Sequence, residues 1–336
     1  MHYVVETEPG LEAMLVDELR DVDPGARVAE LGPRPAGRVV VEMGAAVELE
    51  RVRLAQHVVA VRSLGPGGSL DDVRTVAAAA DLAELTHAAS FRVTAQLAGD
   101  QPYGGSEAAG AAGAVLVERY GTAVDLEGYA VNVRLDVVGG RAIVGVQLNR
   151  EPLGRRIRRG RPLRGAVKPT VAAAMIRLAG GHRGRHRLLD PVCGAATIPV
   201  EAKLLNPELR VSASDWDPAT VAAAERTVAN HGVDVVVRRA DARRLTEVWA
   251  GERFDVITAN IPWGQRLGRR VSLSALYAEL LAGMLEVLAD GGRMVVLSPR
   301  VKALERACTR LSLRLVREIA VETGGMQPRL RLLELR

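Results

Sequence analysis

Between residues 187 and 298 short apolar, β-rich runs alternate with helix-length segments. HRLLD leads into TIPVEAKLL, and LRVSASD leads into ATVAAAERTVAN. VDVVVRR and RFDVITAN follow, then LYAELLAGMLEVLA and RMVVLSP. Strands separated by helices must run parallel, because each helix carries the chain back across the sheet. The segment therefore predicts a doubly wound α/β sheet. Ligands of such sheets bind beyond the C-terminal ends of the strands. Here those ends carry Asp190, Asp215, Asp241 and Asn260, one polar residue each, about one strand–helix unit apart.

The preceding half reads as α+β. HYVVET and RVVVEM suit strands. Thr7 or Glu8 suits a helix cap, with Pro9 in the first turn and Leu11, Met14, Leu15 and Leu19 at helical spacing. Residues 47–61 read as a mixed helix-to-strand stretch. Helices are predicted over 70–89 and 107–120, and a strand over 91–96. Strands over 130–138 and 141–148 flank Gly139-Gly140, a two-residue hairpin turn. The expected division is an α+β, ferredoxin-like subdomain at 1–65, a second small domain at 66–150, a basic linker at 151–166 and the α/β domain at 167–336.

Two cysteines exclude a disulfide framework and a four-thiolate zinc site within one chain, and no metal is expected. No run of eighteen apolar residues exists, and the N-terminus lacks a basic start and apolar block. A cytoplasmic protein without a membrane span is expected. The net charge of +5 invites a polyanionic partner. Almost every cation is Arg, however, with Lys only at 168, 203 and 302, so arginine excess partly reflects composition. Arg150–Arg164 contains seven arginines among fifteen residues. It reads either as a solvated connector or as a phosphate-contacting strip.

The strand-end loops carry the chemistry. In DPVCGAAT, Gly194 permits a tight turn and close backbone approach of a ligand, and the next helix offers free N–H groups. Asp217, directly before Pro218, suits the helix cap, which frees Asp215 to accept from ribose hydroxyls. Asp241 reads equally as an acceptor for an adenine amine or as a surface turn residue. The set describes a nucleoside site, and the turn lacks the G-x-G-x-x-G of a dinucleotide site. Asn260-Ile261-Pro262-Trp263 adds an amide and a stiff turn. It also adds a flat ring, in a chain with only 3% aromatic residues. An amide oxygen and a nearby backbone carbonyl can accept both hydrogens of an exocyclic amine. A tryptophan face can stack a splayed base, worth about 1–3 kcal/mol.

DPVCGAATIPVEA, ASDWDP, RADA and NIPWGQRLG, in this order, resemble the motifs of class I S-adenosylmethionine-dependent methyltransferases that act on amines. The pattern is most similar to THUMP-domain RNA methyltransferases that make N2-methylguanosine in tRNA. PLRGAVKPTVAAAMIRLAG and TEPGLEAMLVDEL also resemble segments of that family. The resemblance implies a C-terminal Rossmann-like methyltransferase domain preceded by an α+β RNA-binding region with a THUMP domain at 66–150. It implies S-adenosyl-L-methionine as cofactor, tRNA as partner and transfer of a methyl group to guanosine N2, with a monomer favoured.

Carried over residue by residue, Asp190, Gly194 and Thr197 would line the methionine and ribose part of the cofactor. Asp215 would hold the ribose, Trp216 flank the adenine and Asp241 reach its amine. Thr170, Cys193, Ala242 and Asn260 complete the implied cofactor set. Asn260, Ile261, Pro262 and Trp263 form the catalytic set. Arg150, Arg155, Arg156, Arg158, Arg159, Arg161, Lys168 and Arg266 are the RNA-binding candidates.

The sequence departs from the family at Ala195-Ala196, where the pattern has Ser or Thr followed by Gly. A methyl group at 196 would crowd a backbone that needs positive φ. The alternatives are rRNA guanine N2 or adenine N6 in nucleic acid as the acceptor, or a non-catalytic RNA-binding relative.

Overall fold

The computed structural model describes residues 1–29, 36–44, 48, 51–157, 165–184, 186–264 and 272–335. They form two compact units, one of Met1–Thr7 and Glu12–Leu153, the other of Glu8–Leu11 and Gly154–Arg336.

In the first unit the strands are β1 (His2–Glu6), β2 (Arg27–Val28), β3 (Arg38–Glu42), β4 (His57–Pro66), β5 (Ser90–Ala98), β6 (Ala123–Val124), β7 (Val131–Val138) and β8 (Arg141–Gln147). They make one eight-stranded sheet in the order β2-β3-β1-β4-β8-β7-β5-β6. Its helices are α1 (Glu12–Val22), α2 (Leu70–Ala79) and α3 (Gly105–Tyr120). Period-two alternation in β7 explains its placement. Val133, Leu135 and Val137 join Val73, Ala112 and Leu116 of the two later helices in one core. Asn132, Arg134 and Asp136 point the other way and are also buried. Arg134 donates to Glu6 at 2.6 Å and to Gln147 at 3.1 Å, and Arg38 lies 3.4 Å from Asp136. Gly139 and Gly140, at φ 56° and 74°, make the β7–β8 turn as the sequence predicts.

Three expectations shift. Residue 65, the expected domain boundary, lies inside β4, which pairs with β8, so strands from both sides share one sheet. Helix α2 stops at Ala79, because Ala80 turns extended at ψ 123°, and a short 3-10 turn at Ala83–Thr86 follows. In the 47–61 stretch β4 starts at His57, and 47, 49 and 50 lie outside the described residues.

The second unit contains α4 (Pro169–Leu178), β9 (Arg187–Asp190), α5 (Thr197–Leu205), β10 (Arg210–Asp215), α6 (Pro218–Asn230) and β11 (Val235–Arg239). After these come β12 (Phe254–Asn260), α7 (Leu273–Val287), β13 (Leu288–Ser298), α8 (Val301–Arg310), β14 (Leu313–Ala320) and β15 (Arg329–Leu335). The sheet order is β11-β10-β9-β12-β13-β15-β14. β9 to β13 are parallel, and β15 runs antiparallel to β13 and to β14. The order reverses between β9 and β12, which is where an open α/β sheet forms its ligand crevice. This is the Rossmann-like sheet that the alternation predicts.

Leu189, Ile257, Ala259, Met294 and Val296 are buried in its core with Tyr277 and Leu281 of α7. Helix α8 is an addition to the sequence reading. Leu304, Ala307 and Cys308 bury its inner face. In the Glu8–Leu11 segment Gly10 has φ 98°, and a Cβ there would lie 1.8 Å from the Ala320 carbonyl oxygen. Only glycine fits this approach. The same conformation keeps Pro9 out of α1, so neither Pro9 nor Glu8 starts that helix as expected. No helix among the described residues is long and apolar enough to cross a membrane.

Candidate active site

The polar strand ends fall on one edge of the parallel sheet. Asp190 closes β9 and is 1% exposed. Its Oδ1 accepts from the Val192 amide at 3.2 Å, while its Oδ2 is buried and has no partner among the described residues. Burial holds this carboxyl well above the usual carboxylate range, and the nearby Asp215 carboxylate adds to the effect. A buried carboxylate oxygen without a partner favours a ligand that donates a hydrogen bond.

Asp215, at the end of β10, ties two loops together. It accepts from the Gly194 amide at 3.1 Å and from the Asp217 amide at 3.2 Å. Burial raises its carboxyl, and the backbone donors oppose that rise. Asp217 caps α6, accepting from the Thr220 amide at 2.9 Å, as its place before Pro218 predicts. Gly194 has φ 55° and open space where a Cβ would stand. Ala196 keeps the turn in the left-handed region at φ 61°, ψ 31°, directly before α5. The substitution therefore leaves the backbone in the conformation that glycine favours. Thr197 and Cys193 are buried beside this turn.

Trp216 is 72% exposed, an uncovered ring next to Asp215. Asp241 follows β11 and is engaged by Arg243, whose Nη2 lies 2.6 Å from Oδ2. Those hydrogen bonds hold its carboxyl below the usual range. Ala242 is buried. Thr170, the second residue of α4, is buried and donates to Glu8 at 3.3 Å.

Asn260 ends β12. Its Nδ2 donates to the Gly165 carbonyl at 2.8 Å, and its Oδ1 accepts from Trp263 Nε1 at 3.2 Å. The oxygen therefore already holds an N–H donor. The rest of the loop is clamped from behind. The Tyr277 hydroxyl donates to the Pro262 carbonyl at 2.8 Å and pairs with Ser298 Oγ at 3.2 Å. Ser298 accepts from the Arg300 amide at 3.0 Å, and Arg300 Nε donates to the Trp263 carbonyl at 3.1 Å. Ile261 is buried. The loop can thus present an amide oxygen and a ring in fixed positions.

The Gly194–Ala196 turn after β9, Asp215 at the end of β10 and the Asn-x-Pro-Trp loop after β12 lie on this one strand order. Residues 156–329 match the family model described as RMKL-like, methyltransferase domain. The chain belongs to this family. This methyltransferase is 38% identical over 334 residues to the tRNA (guanine(6)-N2)-methyltransferase of Thermus thermophilus, covering 98% of each chain. It is 25% identical over 291 residues to a tRNA (guanine(6)-N2)-methyltransferase of Archaeoglobus fulgidus, covering 76% of this chain and 72% of that one. The crystal structure of TrmN from Thermus thermophilus has a TM-score of 0.87 at 36% identity, covering 100% of this chain and 99% of that one. A putative methyltransferase complexed with SAH shares the fold at a TM-score of 0.76 and 17% identity, with 100% and 98% covered.

The basic candidates of the methyltransferase separate into groups. Arg150 is exposed, with its guanidinium 5.2 Å from the Tyr129 ring centre. Arg155 lies in a 3-10 turn. Arg156 makes a two-pronged pair with the buried Glu201, at 2.9 and 2.7 Å, which makes it a fold contact instead of the phosphate grip expected. Lys168 is paired with Glu8 at 2.9 Å. Arg158, Arg159, Arg161 and Arg266 lie outside the described residues. Sequence reasoning missed Tyr277, Ser298 and Arg300. Ser298 was reachable, since it ends β13 at the same edge as the four residues singled out.

Proposed function

We propose that this chain transfers a methyl group from S-adenosyl-L-methionine to the exocyclic N2 amine of a guanosine in tRNA, at position 6. The observation that carries the reading is the Asn260 amide oxygen, presented to an N–H donor at the end of β12. The full-length likeness to a tRNA (guanine(6)-N2)-methyltransferase supports the choice of acceptor.

The cofactor fits the residues present. The unpartnered Asp190 Oδ2 would accept from its polar groups, and Asp215 from its ribose hydroxyls. Gly194 leaves room for it, and Trp216 offers a face to its adenine. Thr170, Cys193, Thr197 and Ala242 would complete the wall. Asp241 reaches an adenine amine once Arg243 yields it. When bound, S-adenosylmethionine supplies an electrophilic methyl group. The protein's task is then to position and desolvate the amine.

Asn260 Oδ1 takes one amine hydrogen in place of the Trp263 indole, and the Ile261 carbonyl takes the other. The Pro262 and Trp263 carbonyls are committed to Tyr277 and Arg300. Two acceptors on one amine aim its lone pair along the line of displacement. Trp263 stacks the base. The methylated nitrogen loses its proton to water, and no strong general base is needed.

The first unit, with a THUMP domain in its later half, and the basic stretch at 151–166 would grip RNA largely by shape and backbone charge. Arg150, Arg155, Arg158, Arg159, Arg161 and Arg266 are the candidate contacts. Asn260→Ala should abolish N2-methylguanosine formation in tRNA, read by nucleoside mass spectrometry, while S-adenosylhomocysteine still binds by calorimetry. Full activity in that variant would overturn the role of Asn260.

A further inference from the structure

Helix α8 carries a row of positive charge, unpaired among the described residues, on its outer face, of which only Arg310, in the last turn, complements the helix dipole. Its inner face buries Leu304, Ala307 and Cys308. Its outer face presents Lys302, Arg306 and Arg310, all exposed, and none has an ion pair or side-chain hydrogen bond among the described residues. The three are four residues apart, about 6 Å along the axis at each step. Like charges at this spacing repel. Lys302 also stands in the first turn, where the helix dipole favours an anion, and that turn holds no acidic residue. Glu305, the one carboxylate of α8, is drawn off by Arg331 at 3.0 Å.

Compositional bias toward arginine does not explain Lys302. Of the three lysines, Lys168 pairs with Glu8 and Lys203 donates to the Pro207 and Leu209 carbonyls, while Lys302 has no such partner among the described residues. The position of the helix supplies the reason. Arg300, just ahead of α8, is bonded to the Trp263 carbonyl of the catalytic loop. The stripe therefore starts at the base-binding end of the sheet and runs away from it.

We propose that Lys302, Arg306 and Arg310 form a track on the methyltransferase unit for the sugar–phosphate backbone of the tRNA whose base enters the Asn260 loop. This rests on the tRNA reading above. The track would draw the strand beside the target nucleotide along α8. Its contacts are to phosphate, so they set affinity and salt dependence and leave the nucleotide choice to the loop.

The test uses the full chain and the triple variant Lys302→Gln, Arg306→Gln, Arg310→Gln. Equilibrium binding of unmodified tRNA is measured from low to moderate salt, beside methylation kinetics, S-adenosylhomocysteine calorimetry and thermal unfolding. Binding of tRNA should weaken about tenfold, and the slope of log affinity against log salt should fall in magnitude by about 2. Turnover at saturating tRNA and S-adenosylhomocysteine affinity should stay within twofold, with thermal stability unchanged or raised. Wild-type tRNA affinity and salt slope in the variant would overturn the track while leaving the methylation reading intact. A wild-type protein that binds tRNA but methylates nothing would overturn that reading, while the binding comparison still decides the track. A wild-type protein that binds no tRNA overturns both.

Discussion

Ala196 is the point where this chain departs from the glycine of its family pattern, and its cost can be worked out. The residue sits at φ 61°, ψ 31°. A left-handed conformation costs an L-residue about 1–2 kcal/mol. Ala196→Gly removes that strain, but two effects oppose the gain. The Ala196 methyl is fully buried beside Ile157, Cys193, Val200 and Ala213, and losing a buried methyl costs about 0.8 kcal/mol. Glycine also gives up about 0.4–1 kcal/mol more backbone freedom on folding. These effects nearly cancel. Ala196→Gly should therefore shift the free energy of urea unfolding by less than about 1 kcal/mol, and change S-adenosylhomocysteine affinity by less than about fivefold.

Ala196→Val puts a β-branched residue in the same conformation and overfills the cluster. It should destabilise by about 2–4 kcal/mol and weaken S-adenosylhomocysteine binding in step. Urea denaturation followed by circular dichroism, with calorimetry on each folded variant, measures both. A glycine variant that binds S-adenosylhomocysteine more than about tenfold tighter, a gap of about 1.4 kcal/mol, would refute the claim that the turn accommodates alanine. A valine variant of wild-type stability would refute the conformational constraint itself.

Two further outcomes follow from the site. Tyr277→Phe frees the Pro262 carbonyl and should lower kcat about tenfold with little change in KM for tRNA, at about 1–2 kcal/mol of stability; an equal rise in KM would mean the clamp orders substrate binding instead of the reacting amine. Asp190 has its carboxyl raised by burial, so the folded protein binds its proton more tightly than the unfolded chain does. Stability of the ligand-free protein should accordingly fall as pH rises above the ordinary carboxylate value of about 4 toward the raised one. Asp190→Asn should flatten that fall in thermal unfolding and raise stability at neutral pH while weakening S-adenosylhomocysteine binding; an unchanged pH profile would exclude Asp190 as its source.

What the sequence reveals and what it hides here divide along chain distance. The strand ends were legible because each is local. An apolar run ending in Asp or Asn marks its own edge of the sheet, and Asp217 before Pro218 marks its own helix cap. That residue 65 falls inside a strand and not at a boundary was not legible, because β4 pairs with β8, a partner some eighty residues away whose register no local pattern encodes. The clamp behind the Asn260 loop was hidden for the same reason. Tyr277 and Arg300 reach carbonyls 15 and 37 residues earlier in the chain.

Charge shows the limit most sharply. Counting arginines drew attention to 150–164, yet within that block Arg156 is bound to Glu201, 45 residues away, and serves the fold. Lys168, next to the block, is bound to Glu8 across 160 residues. A cation is available to a polyanion only if no carboxylate of the same chain has claimed it, and pairing is a property of the folded molecule. α8 went unremarked as sequence because VKALERACTR holds one acid among three bases, an ordinary surface composition. Folding moves that acid to Arg331 and leaves Lys302, Arg306 and Arg310 uncompensated, among the described residues, on a helix that starts beside the Asn260 loop. Where the uncompensated charge lies, more than how much of it the chain carries, is what points to the path of the RNA.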